Sequence, residues 1–265
     1  MKGPPIVLTT DFGQIDEYVG VLKGVILSIN PEAAVIDLCH AVPPQDIGYA
    51  AELIFRNHKY FPAASIHLCI VDPTVGTERR IIVVKANSQL FLGPDNGVFS
   101  RLLETDETAK VYELTNRSWF LEDISNTFQG RDIMAPAAAH LSRGAPIDQA
   151  GPSISRESCV IIAASVPRCS DSEIIGEIVS IDRFGNLITN IETIHFDRLV
   201  RKGGLTIRIK SSEVGFHHTS YAKLPDRRPA ALLNSSNLLE ICIKNGSAAD
   251  FFEVQIGERV LVTGS

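Results

Sequence analysis

The sequence lacks several features that would assign the chain to a particular class of protein. It has no apolar stretch as long as a signal peptide or a membrane span requires, and its first dozen residues already include two prolines and Asp11. Its 25 lysines and arginines form no basic run, and 31 aspartates and glutamates leave a net charge of −6. Such a chain is poorly suited to neutralise a row of phosphates. We expect a cytoplasmic protein that binds neither nucleic acid nor membrane.

Cysteine is scarce and irregularly spaced. The five cysteines are odd in number and show no Cys-x-x-Cys spacing, which disfavours a disulfide framework and a structural zinc site. His217 and His218 are adjacent in an expected loop, a spacing that rarely chelates one ion. The GxSxG and HExxH motifs are absent, so acyl transfer and zinc hydrolysis lack support. The sequence predicts no metal and no cofactor.

Short strands alternate with helices up to about residue 165. Strands are expected at Ile6–Thr10, Ala34–Leu38, Ser65–Val71 and Ile81–Ala86, and helices at Asp16–Ile29 and Gln45–His58. This order is typical of βαβ units, whose strands are parallel. We therefore predict a layered α/β domain with a mostly parallel sheet over residues 1–165.

The pattern changes in the last third of the chain, where short strands are separated by Gly, Asn, Ser and Pro. Strands are expected at Ile174–Ile181, Leu187–Ile191, Leu205–Ile209, Leu238–Ile243 and Arg259–Val262. Between the two patterns lies Ala163–Ser172, which is rich in serine and has little that could enter a core. We predict a linker there, followed by a smaller β-rich domain over residues 173–265.

Four polar segments interrupt the apolar runs: TTDFGQIDEY, VDPTVGTERR, NTFQGRDIMAPAAAH and IDRFGNLITN. The first two follow expected strands, where open α/β sheets bind their ligands. Asp11 and Asp16 could hold ribose hydroxyls and an ammonium group, while Phe184 and Asn186 could stack on a base and read its edge. The absence of GxGxxG and GxxxxGK[ST] loops favours a nucleoside without phosphates.

Each polar segment taken singly also fits a structural role. Asp11 with Gly13 could form the turn into a helix, and Asp182 with Arg183 could be a surface ion pair. It is the combination of segments that favours a binding site.

The motifs together resemble a known family. TTDFGxxDxYVGxxKG, VDPxVGTxRR, GPDNG, TFxGRDIxAPAAAHL, DRFGNLxTNI and NSSNLLEIxIKNGSAA follow one another from about Ile6 to Val262. They are similar to the S-adenosyl-L-methionine hydroxide adenosyltransferases, relatives of the fluorinase and chlorinase. The resemblance implies an α/β N-terminal domain, a β-barrel-like C-terminal domain, and a homotrimer whose sites lie between subunits. It also implies hydrolysis of S-adenosyl-L-methionine to adenosine and L-methionine, by attack of water at ribose C5′ without a metal or redox cofactor.

The resemblance also implies roles for individual residues. Those implied for substrate binding are Asp11 at the ribose hydroxyls, Asp16 at the methionine amine, Phe184 and Asn186 around adenine, Asp182 and Ser235 near the methionine moiety, and Tyr18 and Ser236 as pocket lining. Those implied for catalysis are Asp72, Arg79 and Gln129. Gln129 stands where the family usually has histidine, and Thr74 stands where glycine is more usual.

Two other functions stay open at this point. A halogenase of the same family would place a halide beside residue 72, but Asp72 would repel an anion there by several kcal/mol, on the order of magnitude that Coulomb's law gives at low dielectric constant. Family halogenases carry an uncharged tyrosine at this position. The other alternative is a protein that binds S-adenosyl-L-methionine or adenosine but has lost turnover through the change at Gln129.

Overall fold

The computed structural model describes residues 3–196, 199, 205–217 and 219–264. The chain forms two compact units, one ending at Ala164 and the other beginning at Ser165. His218 lies outside the described residues. In the part of the chain that the structure describes, no helix combines the length and the apolar character needed to cross a membrane.

The first unit contains a seven-stranded sheet with the strand order β2-β1-β3-β5-β4-β6-β7. The strands are β1 (Ile6–Thr10), β2 (Val35–Cys39), β3 (Ile66–Ile70), β4 (Ile81–Ala86), β5 (Gln89–Pro94), β6 (Lys110–Glu113) and β7 (Ser153–Ile154). The first four strands in this order are parallel neighbours, and the last three join antiparallel. The four strands predicted in this part of the chain are confirmed to within about a residue at each end.

Helices cover both faces of this sheet. They are α1 (Tyr18–Ile29), α2 (Ile47–Asn57), α3 (Ser100–Thr105) and α4 (Ala135–Ser142). Leu22 and Ile26, four residues apart on α1, are buried in one apolar cluster with α4 and the sheet. Ile54 of α2 and Leu102 of α3 are buried in a second cluster on the other face. The predicted layered α/β class is confirmed.

The second unit is a closed β-barrel. Its strands are β8 (Arg168–Cys169), β9 (Glu173–Ile181), β10 (Leu187–Glu192), β11 (Leu205–Ile209), β12 (Ser212–Phe216), β13 (Pro229–Leu233), β14 (Leu238–Ile243) and β15 (Arg259–Gly264). They follow the order β10-β14-β13-β12-β11-β15-β9-β8, and an additional pairing of β10 with β9 closes seven of them. Two short helices, α5 (Thr193–Phe196) and α6 (Ala248–Phe252), lie in the connections. The expected β-barrel-like fold is confirmed.

Side chains alternate along the barrel strands as period-two geometry requires. On β14, Leu239, Ile241 and Ile243 belong to the large apolar cluster of the barrel, whereas Cys242 packs in a small separate cluster with Leu232 of β13. The expected linker contains the short strand β8, which pairs with β9 and belongs to the second unit.

Candidate active site

The site in the first unit begins where two neighbouring strands end. Strands β1 and β3 run parallel in register, with Thr10 opposite Ile70, so Asp11 and Asp72 emerge at the same edge of the sheet. Both carboxylates line a cleft of about 250 Å³. The cleft is lined by Asp11, Phe12, Gln45, Ile70, Asp72, Pro73, Val75, Thr127, Phe128, Gln129 and Gly130. The structure thus brings together Asp11, Asp72 and Gln129, three residues that the sequence predicted for one site.

Asp72 is held by an arginine. Nε of Arg79 lies 2.8 Å from each carboxylate oxygen of Asp72, and its Nη2 also contacts Oδ2. The two side chains are only 5% and 8% exposed. The hydroxyl of Thr74 donates a 3.3 Å hydrogen bond to Oδ1. A carboxylate fixed in this way presents a constant acceptor geometry to whatever occupies the cleft.

The loop that carries Asp11 is held by the chain segment between β2 and α2. The backbone N–H of Gln45 donates to Oδ2 of Asp11 at 2.8 Å, and Gln45 has a left-handed backbone with φ of 65°. The N–H of Gly13, itself at φ of 70°, donates to the carbonyl of His40 at 2.7 Å. A non-glycine residue at positive φ is uncommon, and such strain clusters at functional sites.

Gln129 sits just before an irregular turn. Gly130–Met134 forms a π-helical turn that leads into α4, a feature often found at functional sites. A Cβ on Gly130 would lie 3.0 Å from Cδ1 of Ile70, so a side chain there would crowd the strand end. The buried carboxylate of Asp132 accepts hydrogen bonds from Ser125 N at 2.8 Å and from Arg131 Nε at 2.6 Å. These contacts fix the loop that presents Gln129.

Tyr18 and Asp16 are placed differently from each other. The ring of Tyr18 packs 5.5 Å from that of Phe12 and 5.3 Å from that of Phe128, measured between centroids. It lines an adjoining hollow of about 470 Å³, which shares Phe12, Thr127 and Phe128 with the first cleft. Asp16 is exposed in the turn before α1, which begins at Tyr18 and not at Asp16 as expected. Of the clefts formed by the described residues, neither of these two includes Asp16 in its lining.

Three predicted site residues share the β9–β10 connection of the barrel. Oδ1 of Asp182 accepts from the backbone N–H groups of Phe184 and Asn186, each at 2.9 Å, and Oδ2 accepts from Nδ2 of Asn186 at 2.9 Å. Asp182 therefore organises its own turn, as aspartate commonly does. Phe184 is 76% exposed, which leaves its ring free to stack on a planar group.

Ser235 and Ser236 lie exposed on the β13–β14 connection. Leu187 pairs with Ile241 whereas Glu192 pairs with Leu238, so this connection and the β9–β10 connection follow opposite ends of the β10–β14 pair. The barrel unit therefore does not bring Ser235 next to Asp182. The register of β10 against β14 contains an irregularity after Ile188 that sequence alone does not reveal.

A buried carboxyl lies on β14 between these two connections. Glu240 is almost fully buried and accepts a 2.6 Å hydrogen bond from the hydroxyl of Tyr221. Burial raises the pKa of Glu240, although hydrogen bonds from Tyr221 and Asn234 act in the opposite direction. This pair was not predicted from the sequence. The single acid in the apolar strand sequence LLEICI was the available signal.

Among the residues that the structure describes, no three His, Cys, Asp or Glu side chains are grouped so that they could hold a metal ion.

Comparison with known proteins assigns the family. Residues 6–151 match the SAM hydroxide adenosyltransferase N-terminal domain, and residues 176–261 match the SAM hydroxide adenosyltransferase C-terminal domain. The chain belongs to the SAM hydroxide adenosyltransferase family.

Individual relatives agree with this assignment. The chain is 35% identical to an (R)-S-adenosyl-L-methionine hydrolase of Salinispora tropica and 33% identical to one of Thermus thermophilus. These alignments cover 98% and 97% of this chain and 98% of each relative. The fold is similar to the crystal structure of an uncharacterized conserved protein from Thermotoga maritima, with a TM-score of 0.91 and 33% sequence identity. The match covers 97% of this chain and 99% of that one.

Proposed function

We propose that this protein hydrolyses S-adenosyl-L-methionine to adenosine and L-methionine by attack of water at ribose C5′. The observation that carries the proposal is the arginine-bound carboxylate of Asp72, in one cleft with Asp11 and Gln129. The relatives named as hydrolases of the same compound, which align with nearly the whole chain, support it.

The reaction is an in-line displacement. The C5′–O bond forms while the C5′–S bond breaks, the electron pair of that bond returns to sulfur, and methionine leaves as a neutral thioether. Because the sulfonium is already a good leaving group, the enzyme has mainly to align water with C5′ and sulfur. Neither a metal nor a redox cofactor is needed for this chemistry.

Asp72 handles the attacking water. Its carboxylate accepts a hydrogen bond from water and stabilises the positive charge that develops on the oxygen as the C5′–O bond forms. It then takes up the proton that this oxygen loses and releases it to solvent. Arg79 keeps the carboxylate in one orientation through its contacts with both oxygens. Gln129, on the same cleft, can order water through its carboxamide but cannot take a proton at neutral pH.

The remaining predicted residues bind substrate in this proposal. Asp11 holds the ribose hydroxyls, since its Oδ1 is not used by the Gln45 contact and it lies in the cleft with Asp72. Phe184 stacks on adenine, and Asn186 reads its edge. The methionine moiety is assigned to Asp16, Asp182 and Ser235, with Tyr18 and Ser236 as lining. This assignment follows the family resemblance.

We further propose a cytoplasmic, metal-independent homotrimer in which each site combines the first domain of one subunit with the second domain of the next. This arrangement rests on the family resemblance and on the fact that the ribose and base residues belong to different units of the chain. Sedimentation equilibrium of the purified protein tests the trimer. Active monomers at high dilution would contradict the shared site.

Halide as the nucleophile is disfavoured by Asp72. A chloride or fluoride ion beside this largely buried carboxylate would be repelled, whereas water is attracted. A protein that binds the substrate without turnover is the second candidate, favoured only by the glutamine at position 129.

One assay separates these functions. The protein is incubated with S-adenosyl-L-methionine, with and without chelator and with and without added halide, and products are followed by chromatography. We expect adenosine and methionine in equal amounts under all four conditions, and much less of both from Asp72→Ala. A halogenated nucleoside, S-adenosylhomocysteine, or binding without any product would overturn the proposal.

A further inference from the structure

His40 lies directly behind the loop that carries Asp11. It follows β2, and its side chain is 1% exposed. Its Nδ1 lies 2.9 Å from the hydroxyl oxygen of Thr10, and its carbonyl accepts the N–H of Gly13 at 2.7 Å. One buried residue therefore holds both ends of the Thr10–Gly13 segment.

The hydrogen-bond directions around His40 follow from its other ring nitrogen. Nε2 faces Oδ1 of Asp37 at 3.0 Å, in a bent contact that is more electrostatic than a formal hydrogen bond. In a neutral imidazole the proton belongs at Nε2, because a lone pair there would face a carboxylate. Nδ1 is then the acceptor, and the hydroxyl of Thr10 must donate to it.

The outer end of this chain of contacts is charged. Nζ of Lys23 donates to Oδ2 of Asp37 at 2.7 Å. Burial acts to raise the pKa of Asp37, but the contacts with Lys23 and His40 outweigh it, and the net shift is downward. A carboxylate that stays ionised keeps the imidazole of His40 in one tautomer and one orientation.

The inner end of the chain reaches the loop backbone. Because the Thr10 hydroxyl donates its hydrogen bond to His40, its oxygen can accept one from the backbone N–H of Phe12. The Phe12 nitrogen lies 3.3 Å from that oxygen. The two backbone N–H groups that directly follow Asp11, those of Phe12 and Gly13, thus depend on Thr10 and His40. Its own carboxylate is held from the other side by Gln45 N at 2.8 Å.

Packing alone does not require these polar groups. Thr10 is fully buried in a strand whose other members are mainly apolar, and valine has the same branched shape with a methyl group in place of the hydroxyl. Burying a hydroxyl and an imidazole costs free energy unless both are hydrogen-bonded. The pair therefore serves the loop and not the core.

We propose that Thr10 and His40 are positioning residues that fix Asp11 in the conformation that binds the ribose hydroxyls of the substrate. This inference rests on the proposed function, in which Asp11 contacts the ribose. Binding of the vicinal 2′,3′-diol of adenosine is therefore the property that reports on these two residues.

The test compares adenosine with 2′,3′-dideoxyadenosine by titration calorimetry on the full chain. The wild-type protein should prefer adenosine, and Asp11→Asn should lose most of that preference. Thr10→Val, which replaces the hydroxyl by a methyl group, should reduce the preference roughly tenfold, the scale of one lost hydrogen bond between a ribose hydroxyl and the charged Asp11. Thr10→Ser should retain it. A purely structural defect would weaken the binding of both nucleosides equally.

Two variants of His40 provide an independent test in case the Thr10 variants do not fold. His40→Asn keeps an acceptor near the Nδ1 position and should retain the adenosine preference, whereas His40→Leu should lose it. Circular dichroism confirms folding of each variant. If Asp11→Asn loses the preference while Thr10→Val and His40→Leu keep it, the positioning role is wrong and the proposed function stands. If wild type shows no preference, or Asp11→Asn keeps it, the ribose assignment itself fails, and the inference fails with it.

Discussion

Arg79 and Asp72 are joined by contacts to both carboxylate oxygens, with Nε of Arg79 2.8 Å from each. A planar guanidinium can make such contacts in a fixed fork, whereas a lysine ammonium is a point charge on a flexible stem. The pair also lies almost out of solvent, which strengthens its electrostatic interaction. The orientation of Asp72 therefore depends on the shape of residue 79 as well as on its charge.

Replacing Arg79 by lysine tests that dependence. Arg79→Lys keeps the positive charge but loses the fork, so we expect kcat to fall by roughly tenfold or more while KM changes little, because the contact matters most in the transition state. Steady-state kinetics with S-adenosyl-L-methionine measure both values. Arg117→Lys is the matched control, since Arg117 lies outside both clefts. Equal kcat for wild type and Arg79→Lys would remove the orientation argument.

Gln129 offers a gain-of-function test. A histidine at this position can both order water and pass on its proton, and general acid–base help is typically worth about 10²–10⁴ in rate. Gln129→His should raise kcat and introduce a pH dependence near neutrality, because histidine titrates there and glutamine does not. The kcat of Gln129→Ala should fall below that of wild type if the carboxamide orders water. An unchanged rate and pH profile in Gln129→His would mean that Asp72 and Arg79 suffice.

The burial of His67 should make the stability of the protein depend on pH. Its ring is buried on β3, stacked 4.8 Å from Phe91, and neither ring nitrogen has a well-aligned partner in the part of the chain that the structure describes. Burial lowers its pKa from 6.5 to about 4. Between these values the unfolded chain binds a proton that the folded one does not, so stability falls as pH drops from about 6.5 towards 4. The total loss of folding stability over this pH range is on the order of 3 kcal/mol.

Substituting the imidazole should remove this dependence. His67→Phe removes two buried ring nitrogens that lack a well-aligned partner among the described residues, and it keeps an aromatic ring next to Phe91. We therefore expect stability near wild type at pH 7 and a higher stability at pH 5. Urea unfolding at the two pH values measures the difference. A variant with the same loss of stability between pH 7 and pH 5 as wild type would assign the acid sensitivity to other groups.

Much of the first unit could be predicted because its signals are local. The apolar runs of β1 and β3 and the periodic face of α1 mark their elements directly, and parallel strands place Asp11 and Asp72 at one edge. The sequence did not reveal α4. Its alanines and proline give little amphipathic pattern, and tertiary burial sustains the helix.

The contacts behind the site could not be read from the sequence. His40 and Thr10 are thirty residues apart, and only the parallel pairing of β1 with β2 brings them together. The separation of Ser235 from Asp182 likewise depends on strand register in the barrel. Such relations are set by the assembled sheet, and no local pattern encodes them.

Isotope labelling of the water oxygen tests the central claim most directly. In H₂¹⁸O, attack of water held by Asp72 at C5′ forms the bond between the labelled oxygen and that carbon, so the 5′-hydroxyl of adenosine should carry one ¹⁸O and methionine none. Mass spectrometry of the two products measures this in a single turnover. Adenosine without label, or label in homoserine formed beside methylthioadenosine, would place the attack elsewhere and contradict the account.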